Sequence, residues 1–363
     1  MRNTNHWFLD VHAIQTLPPS NINRDDAGSP KTAQYGGVLR ARVSSQAWKS
    51  VMRRYFREHG GKANVGVRTL RIAEYVANKM RAMDDTLTEE GALKKAVDTI
   101  EAAGIKTKEA QTRALFFLGD RQALHLAEAA LAGEKDKKVL KQILKENPAI
   151  DIALFGRMLA DDPNLNEDAS AQVAHAVSTH AVQTEFDFYT GVDDLAPEGN
   201  AGAGMLGTVE FNAATYYRYA NVAVHELLSQ IGNPKDTVNT LKLFVEAFAN
   251  SLPTGKVNAF AHQTVPQALL LVLRSDRPVN LISAFEKPVR SDHGYVDSSI
   301  KKMLEEMERV EKFVHFPVCS LLLTTDTIEN TNAEIQTVDS LSAMMDVLGQ
   351  QLQNVFTSTE KLS

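Results

Sequence analysis

Between Gly36 and Arg57 the chain sets Arg40, Arg42, Lys49, Arg53, Arg54 and Arg57 against one nearby acid, Glu58, with Ser44, Ser45 and Gln46 among them. Serine hydroxyls, open first-turn amides and Lys/Arg at helical spacing are the groups a phosphate chain binds. A solvated amphipathic helix with ordinary surface charge would carry the same residue types. The one-sided local charge favours the phosphate reading. Asp25-Asp26, in the polar loop Asn21-Ile22-Asn23-Arg24-Asp25-Asp26, is a second candidate. Paired carboxylates suit a hard divalent cation, and equally orient a neighbouring arginine or cap a turn.

His175 and His180 stand five apart and do not share a helical face, so they read as hydrogen-bonded structural histidines and not as a metal pair. Gly202, Gly204 and Gly207 match the spacing of a dinucleotide-binding turn. Their context fails, because a Pro-Glu-Gly-Asn loop precedes them and the β-like Thr215–Val222 follows. A pyrophosphate would have no helix N-terminus to meet. The stretch reads better as a long loop with Phe188, Tyr189 and Leu206 at its bases. Such residues can stack on bases beside a cationic track or pack into a core, and the pattern leaves both open.

These residues need elements to hold them. Alternation over Val38–Val43 predicts a strand, Ser44-Ser45 a helix cap, and Trp48, Val51, Met52 and Tyr55 the apolar side of the helix that follows. Gly60-Gly61 predicts its stop. Trp7–Ile14 is strand-like. From Val65 to Asp162 the period is helical, over Thr69–Met83, Thr88–Ala103, Thr107–Phe117, Arg121–Leu131 and Lys137–Glu146. Ile150–Met158 reads as a strand, Asp236–Ser251 as a helix and Ala268–Leu273 as a buried strand. Ile282–Val289, a Lys301–Phe313 helix and Val318–Thr324 complete an alternation of sheet and helix. The expected architecture is one α+β domain interrupted by a helical insertion of roughly one hundred residues.

Composition narrows the class. The 363 residues carry Lys+Arg 39 against Asp+Glu 45, a formal net charge of -6. A binder working by bulk charge would be basic, so any nucleic-acid contact is confined to a groove in an acidic molecule. The single cysteine, Cys319, excludes an internal disulfide and a cysteine-based zinc site and fits a reducing cytoplasm. The N-terminus lacks a secretory apolar region, and no apolar run is long enough to span a bilayer.

Several motifs occur together in one order: Asn23-Arg24-Asp25-Asp26, Gly36-Gly37, Arg42-Val43-Ser44-Ser45-Gln46 with Lys49 and Arg53, and Asp151-Ile152-Ala153-Leu154 with Gly156-Arg157-Met158. Ala174-His175-Ala176 with Thr179-His180, Val192-Asp193-Asp194, Leu206-Gly207-Thr208, Tyr217-Arg218-Tyr219-Ala220-Asn221 and Ala284-Phe285-Glu286-Lys287 follow. This set resembles the CasC family, the backbone subunit of the type I-E CRISPR Cascade complex. The resemblance implies an RRM-like (ferredoxin-like) palm with a large helical fingers insertion and a thumb hairpin. Residues 1–60 and 181–363 would form the palm, 61–180 the fingers, and about 187–210 the thumb loop.

It further implies a non-enzymatic role without cofactor. Copies of the chain would polymerise along a CRISPR RNA with other Cascade subunits in a prokaryotic cytoplasm, leaving bases free to pair with target DNA. By position, Arg24, Lys31, Arg42, Ser44, Gln46, Lys49 and Arg53 would line the RNA backbone. Met158 and the thumb residues Phe188, Tyr189, Thr190 and Leu206 would bracket a displaced nucleotide. Where some members carry a tryptophan–phenylalanine pair, this chain has Phe188-Tyr189, which keeps stacking available. The alternative is a metal-dependent ribonuclease using Asp25 or Asp26, as in related backbone subunits of type III complexes.

Overall fold

A computed structural model of the chain describes residues 6–61, 64–159, 162–191, 206–325 and 334–360. The elements open with β1 (Phe8–Ser20), β2 (Thr32–Tyr35), β3 (Val38–Val43), α1 (Ser45–His59) and β4 (Gly66–Thr69). Next come α2 (Ile72–Met83), α3 (Glu89–Ala102), β5 (Thr107–Lys108), β6 (Gln111–Thr112), β7 (Phe116–Gly119), α4 (Asp120–Ala132), α5 (Lys137–Lys145) and α6 (Ile150–Phe155). They continue with β8 (Ala171–Val173), β9 (Ala176–Ser178), β10 (Glu185–Thr190), β11 (Leu206–Ala223), α7 (Val224–Ile231), α8 (Pro234–Asn250) and α9 (Val257–Phe260). The last are β12 (Ala268–Arg274), α10 (Val296–Val310), β13 (Cys319–Thr324), β14 (Gln336–Thr337) and α11 (Leu341–Glu360). The protein is α+β with a large mixed sheet, and its contacts divide it into two units. None of the described helices is long and apolar enough to cross a membrane.

The first unit comprises Met1–Met52, Val173–Asn221 and Val245–Gln351. Its sheet runs β14-β13-β12-β1-β11-β9-β3-β2, with β10 paired to β11 off that path. The β13–β14 pair is parallel, while β1–β12, β12–β13, β9–β11, β3–β9 and β2–β3 are antiparallel. All seven residues of β12 are buried, which is why it reads as a continuous apolar run and not as an alternation. One face of the centre joins Ile14, Ala268, Leu270, Val272, Tyr217 and Tyr219 to Ile300, Met303 and Met307 of α10. A second cluster packs Leu17, Ala41, Val43, Trp48, Val51, Ala176 and Tyr216, seating the start of α1 on the sheet.

Buried arginines organise this unit. Arg218 on β11 stacks with its guanidinium carbon 3.7 Å from the Trp48 ring centroid and 4.3 Å from that of Phe248. It donates to Gln15 Oε1 and to the Phe248 carbonyl. Arg40, fully buried, donates to the carbonyls of Tyr35, Ser178 and Phe285 at 3.1, 2.8 and 2.8 Å. Arg40 therefore leaves the cationic stripe expected from its segment. It ties the β2–β3 turn to the 3-10 turn Leu281–Phe285, which overlaps the Ile282–Val289 stretch expected to belong to the sheet. Gly36 in that turn sits at φ +59°, and a Cβ there would lie 1.7 Å from the Glu286 carbonyl oxygen, so only glycine fits.

The second unit comprises Arg53–Gln172, Val222–Phe244 and Leu352–Ser363. Its core joins Ile72, Val76 and Met80 of α2, Ala92, Ala96 and Ile100 of α3, Leu126 and Ala130 of α4, and Leu140 and Leu144 of α5. The helix expected over Thr107–Phe117 is instead the β5–β6 hairpin and the start of β7, which pairs antiparallel with β4. The strand expected over Ile150–Met158 is the helix α6. Ile150 through Leu154 are all buried, so no polar face marks the helical period.

Candidate nucleic-acid interface

In the first unit, hydrogen bonds tie the loop after β1 to the start of α1. Asn23 Oδ1 accepts from the Ser44 amide at 2.8 Å, Lys31 N donates to the Asn23 carbonyl at 2.9 Å, and Arg42 N donates to the Lys31 carbonyl at 2.9 Å. Ser44 Oγ accepts from Ala47 N at 3.3 Å, so Ser44 is the cap of α1 and is itself buried. Arg24 and Gln46 are exposed, and Lys31, Arg42 and Lys49 are half-buried. Burial lowers the Lys49 ammonium below its usual pKa. Arg42 donates through Nε to the Thr32 carbonyl at 3.1 Å and through a terminal nitrogen to His175 Nδ1 at 3.2 Å. The result is a cationic strip at the positive end of a helix dipole, a setting that favours anions.

Asp25 closes its own loop, its Oδ1 accepting from Ser29 N at 2.9 Å. Among the described residues, no three His, Cys, Asp or Glu side chains gather as a metal set would. His180 is structural. Its Nδ1–H donates to the Ala181 carbonyl, its Nε2 accepts from Thr215 N, and its ring stacks on Tyr295 with centroids 3.7 Å apart.

The hairpin β10–β11 pairs Phe186 with Glu210, Phe188 with Thr208, Tyr189 with Gly207 and Thr190 with Leu206. Directly opposed residues share a face, so Phe186, Phe188, Thr190 and Leu206 line one side. Phe186, Phe188 and Leu206 are 66%, 65% and 60% exposed, which rules out the core reading of these side chains. Tyr189 lies on the opposite side, over Gly207, where an added Cβ would come within 2.4 Å of the ring. Gly207 is thus a cross-strand seat for an aromatic ring. Gly202, Gly204 and Val192-Asp193-Asp194 lie outside the described residues.

Arg53 and Met158 belong to the second unit. Arg53 Nε meets Asp151 Oδ2 at 3.1 Å, with side-chain exposures of 16% and 0%, and its guanidinium carbon lies 4.2 Å from the Phe117 ring centroid. Gly66 N donates to the other carboxylate oxygen at 2.8 Å. Burial raises the Asp151 pKa against the opposing pull of Gly66 and Arg53. Arg53 is therefore engaged inside its unit, where the residue pattern alone placed it on the cationic face. Arg157 is buried and donates to the carbonyls of Leu165, Phe117 and Leu144. Gly156, at φ +78°, turns the chain into it. This lock leaves the next residue, Met158, projecting into solvent at 86% exposure.

Residues 9–349 match the family described as CT1975-like protein. The chain belongs to the CT1975-like family. It is similar to a chain of a CRISPR RNA-guided surveillance complex, pre-nicking, with 32% identity and a TM-score of 0.83 over 95% of this chain and 100% of that one. A chain of a second CRISPR RNA-guided surveillance complex gives 27% identity and a TM-score of 0.74 over 94% of this chain and 99% of that one. A search among curated proteins finds no match.

In this CT1975-like chain the structure adds two residues to the candidate set. Phe186 extends the apolar face of the hairpin, and its period-two spacing from Phe188 was the signal that could have found it. His175 joins Lys31 and Arg42 through its bond to Arg42, a pairing across 133 positions that no local pattern encodes.

Proposed function

We propose that the chain is a non-catalytic, RNA-gripping backbone subunit of a type I-E Cascade complex, a member of the CasC family. The observation that carries this reading is the near full-length likeness to a chain of a CRISPR RNA-guided surveillance complex, at 32% identity. In this reading the unit built on the large sheet is a ferredoxin-like palm, the helical unit the fingers and the β10–β11 hairpin the thumb. Copies polymerise along the CRISPR RNA beside other Cascade subunits, and the unobstructed bases pair with target DNA.

The residues give each part a physical task. Lys31, Arg42, Lys49 and the exposed Arg24 and Gln46 hold phosphates, and Ser44 fixes the helix start that presents them. Phosphate contacts position the strand without reading its sequence. The apolar face of Phe186, Phe188 and Leu206 bears on an unstacked nucleotide, each stacking contact being worth about 1–3 kcal/mol, and Met158, on the helical unit, offers an apolar contact of its own. Arg53 acts from inside the fingers as the partner of Asp151.

The test is to express the chain with a CRISPR RNA and its partner subunits, digest with nuclease and size the protected RNA. Protected RNA of uniform length, lost when Phe186 and Phe188 are both changed to Ala in a chain that still folds, supports the reading. Random-length RNA, or none, overturns it. Cleavage of the RNA in Mg²⁺ that disappears in Asp25→Ala or Asp26→Ala would overturn the non-catalytic part.

A further inference from the structure

The cluster of Lys31, Arg42 and His175 holds a titratable ring where the palm reading puts phosphate. Arg42 comes from β3 and Lys31 from the segment between β1 and β2, while His175 lies between β8 and β9. The Arg42 guanidinium is fixed on one side by the Thr32 carbonyl and on the other by His175 Nδ1. A guanidinium has only donors, so Nδ1 must accept, and the ring in this state is the neutral Nε2–H form. His175 is exposed, so a polyanion reaching Arg42 also reaches the ring.

We propose that His175 is the positioning residue that aims Arg42 and that it becomes a third cationic contact, by taking up a proton, when an RNA phosphate binds at Lys31 and Arg42. This rests on the RNA-binding reading above and adds a regulation to it, a dependence of the grip on pH.

Partial burial first, and then the charged groups facing the ring, Arg42 and Lys31, both cations, hold its pKa below that of ordinary histidine. A phosphate placed against the two cations cancels their field and adds an attractive one. The same ring then favours its charged form, with Nδ1–H turned from acceptor to donor. A phosphate oxygen replaces the ring as the acceptor for the freed guanidinium proton. Protein that binds a proton on taking up RNA must bind RNA more tightly as pH falls. His180, buried and bonded at both ring nitrogens, is excluded from this role by its contacts.

Fluorescence anisotropy with a labelled single-stranded CRISPR RNA, at fixed ionic strength from pH 8 to pH 6, tests the proposal on the full chain. Wild-type affinity is expected to rise about three- to tenfold across that range, the effect of up to one coupled pKa unit. His175→Gln, which keeps a neutral hydrogen-bonding side chain beside Arg42, is expected to lose the rise, whatever its affinity at pH 8. Parallel pH profiles for the two proteins overturn the proposal while leaving RNA binding intact. A chain that binds RNA at no pH overturns the RNA-binding reading itself, and the proposal with it. An NMR titration of the His175 ring in wild type gives a second readout. Its midpoint must move up when the RNA is added, and an unmoved midpoint overturns the proton uptake.

Discussion

Arg53→Ala separates an arginine that holds the protein from one that holds RNA. In the wild type, Arg53 neutralises a carboxylate with no exposed surface, at 3.1 Å, while its plane lies 4.2 Å from the centroid of Phe117. Gly66 N also donates to that carboxylate. Truncating one partner of a buried pair leaves the other charge uncompensated, which costs about 3–5 kcal/mol. At about 2–4 °C per kcal/mol for a unit of this size, melting should fall by roughly 10 °C. The loss should shrink as pH falls. The Asp151 carboxyl pKa is already raised in the folded state and rises further without Arg53, so the folded variant binds a proton that the unfolded chain releases, and acid restores stability. Arg53→Met combined with Asp151→Leu should recover most of the loss, because an apolar pair of similar volume often replaces a buried ion pair at little cost. Differential scanning calorimetry across pH measures all of this. RNA titrations of the folded variant in increasing salt should keep the wild-type slope. An unchanged melting temperature together with a flatter salt slope would refute the assignment and return Arg53 to the RNA.

Arg42→Ala should behave oppositely, leaving melting nearly unchanged and flattening the plot of log K against log salt by about 0.7, one phosphate contact on a single strand; an unaltered slope would remove it from the grip. Gly36→Ala should cost more than about 2 kcal/mol in urea unfolding, since it combines a left-handed backbone with a Cβ 1.7 Å from the Glu286 oxygen. Gly37→Ala, also at positive φ but with open space around it, should cost less, and equal costs would contradict the close-approach argument. On β1, burial raises the Asp10 pKa to about 7 and lowers that of His12 to about 3. Relative to ordinary unfolded values, falling pH between about 6.5 and 4 costs stability through His12 and returns it through Asp10, so the two cancel. His12→Gln removes the cancellation, and its unfolding free energy in urea titrations should improve relative to wild type by about 1.4 kcal/mol per pH unit on acidification; parallel curves would refute the sign.

Local chemistry was legible where one segment carried its own evidence. The strand Val38–Val43, the Ser44 cap and the helix α1 could be read because alternation, cap and helical period follow one another without interruption. The helices α2 to α5 were readable for the same reason, each with an apolar stripe and a glycine or polar break beyond it. The short helix α6 was not, because five successive buried residues erase the period. Strands of two residues, β5 and β6, are too short to show any alternation.

The direction of each arginine was the largest gap. Arg40, Arg53, Arg157 and Arg218 look alike in the sequence as basic residues near candidate motifs. Their partners decide their roles, and those are carbonyls, a carboxylate and rings outside the arginine's own local pattern: Phe285 for Arg40, Asp151 for Arg53, Leu144 for Arg157, and Trp48 and Phe248 for Arg218. A guanidinium with several donors finds main-chain acceptors inside a fold as readily as phosphates outside it. The hairpin bases were found correctly as apolar residues, but only the β10–β11 register divides them between faces, with Tyr189 opposite to Phe188.

A cryo-EM map of the RNA-loaded particle would show whether the cationic strip of the first unit holds the polynucleotide. Phosphate oxygens are expected within about 3 Å of the Arg42 guanidinium and the Lys31 ammonium in every copy of the chain, with a nucleotide displaced against Phe188. A map in which Lys31 and Arg42 face solvent or protein, with the polynucleotide elsewhere, would contradict this expectation.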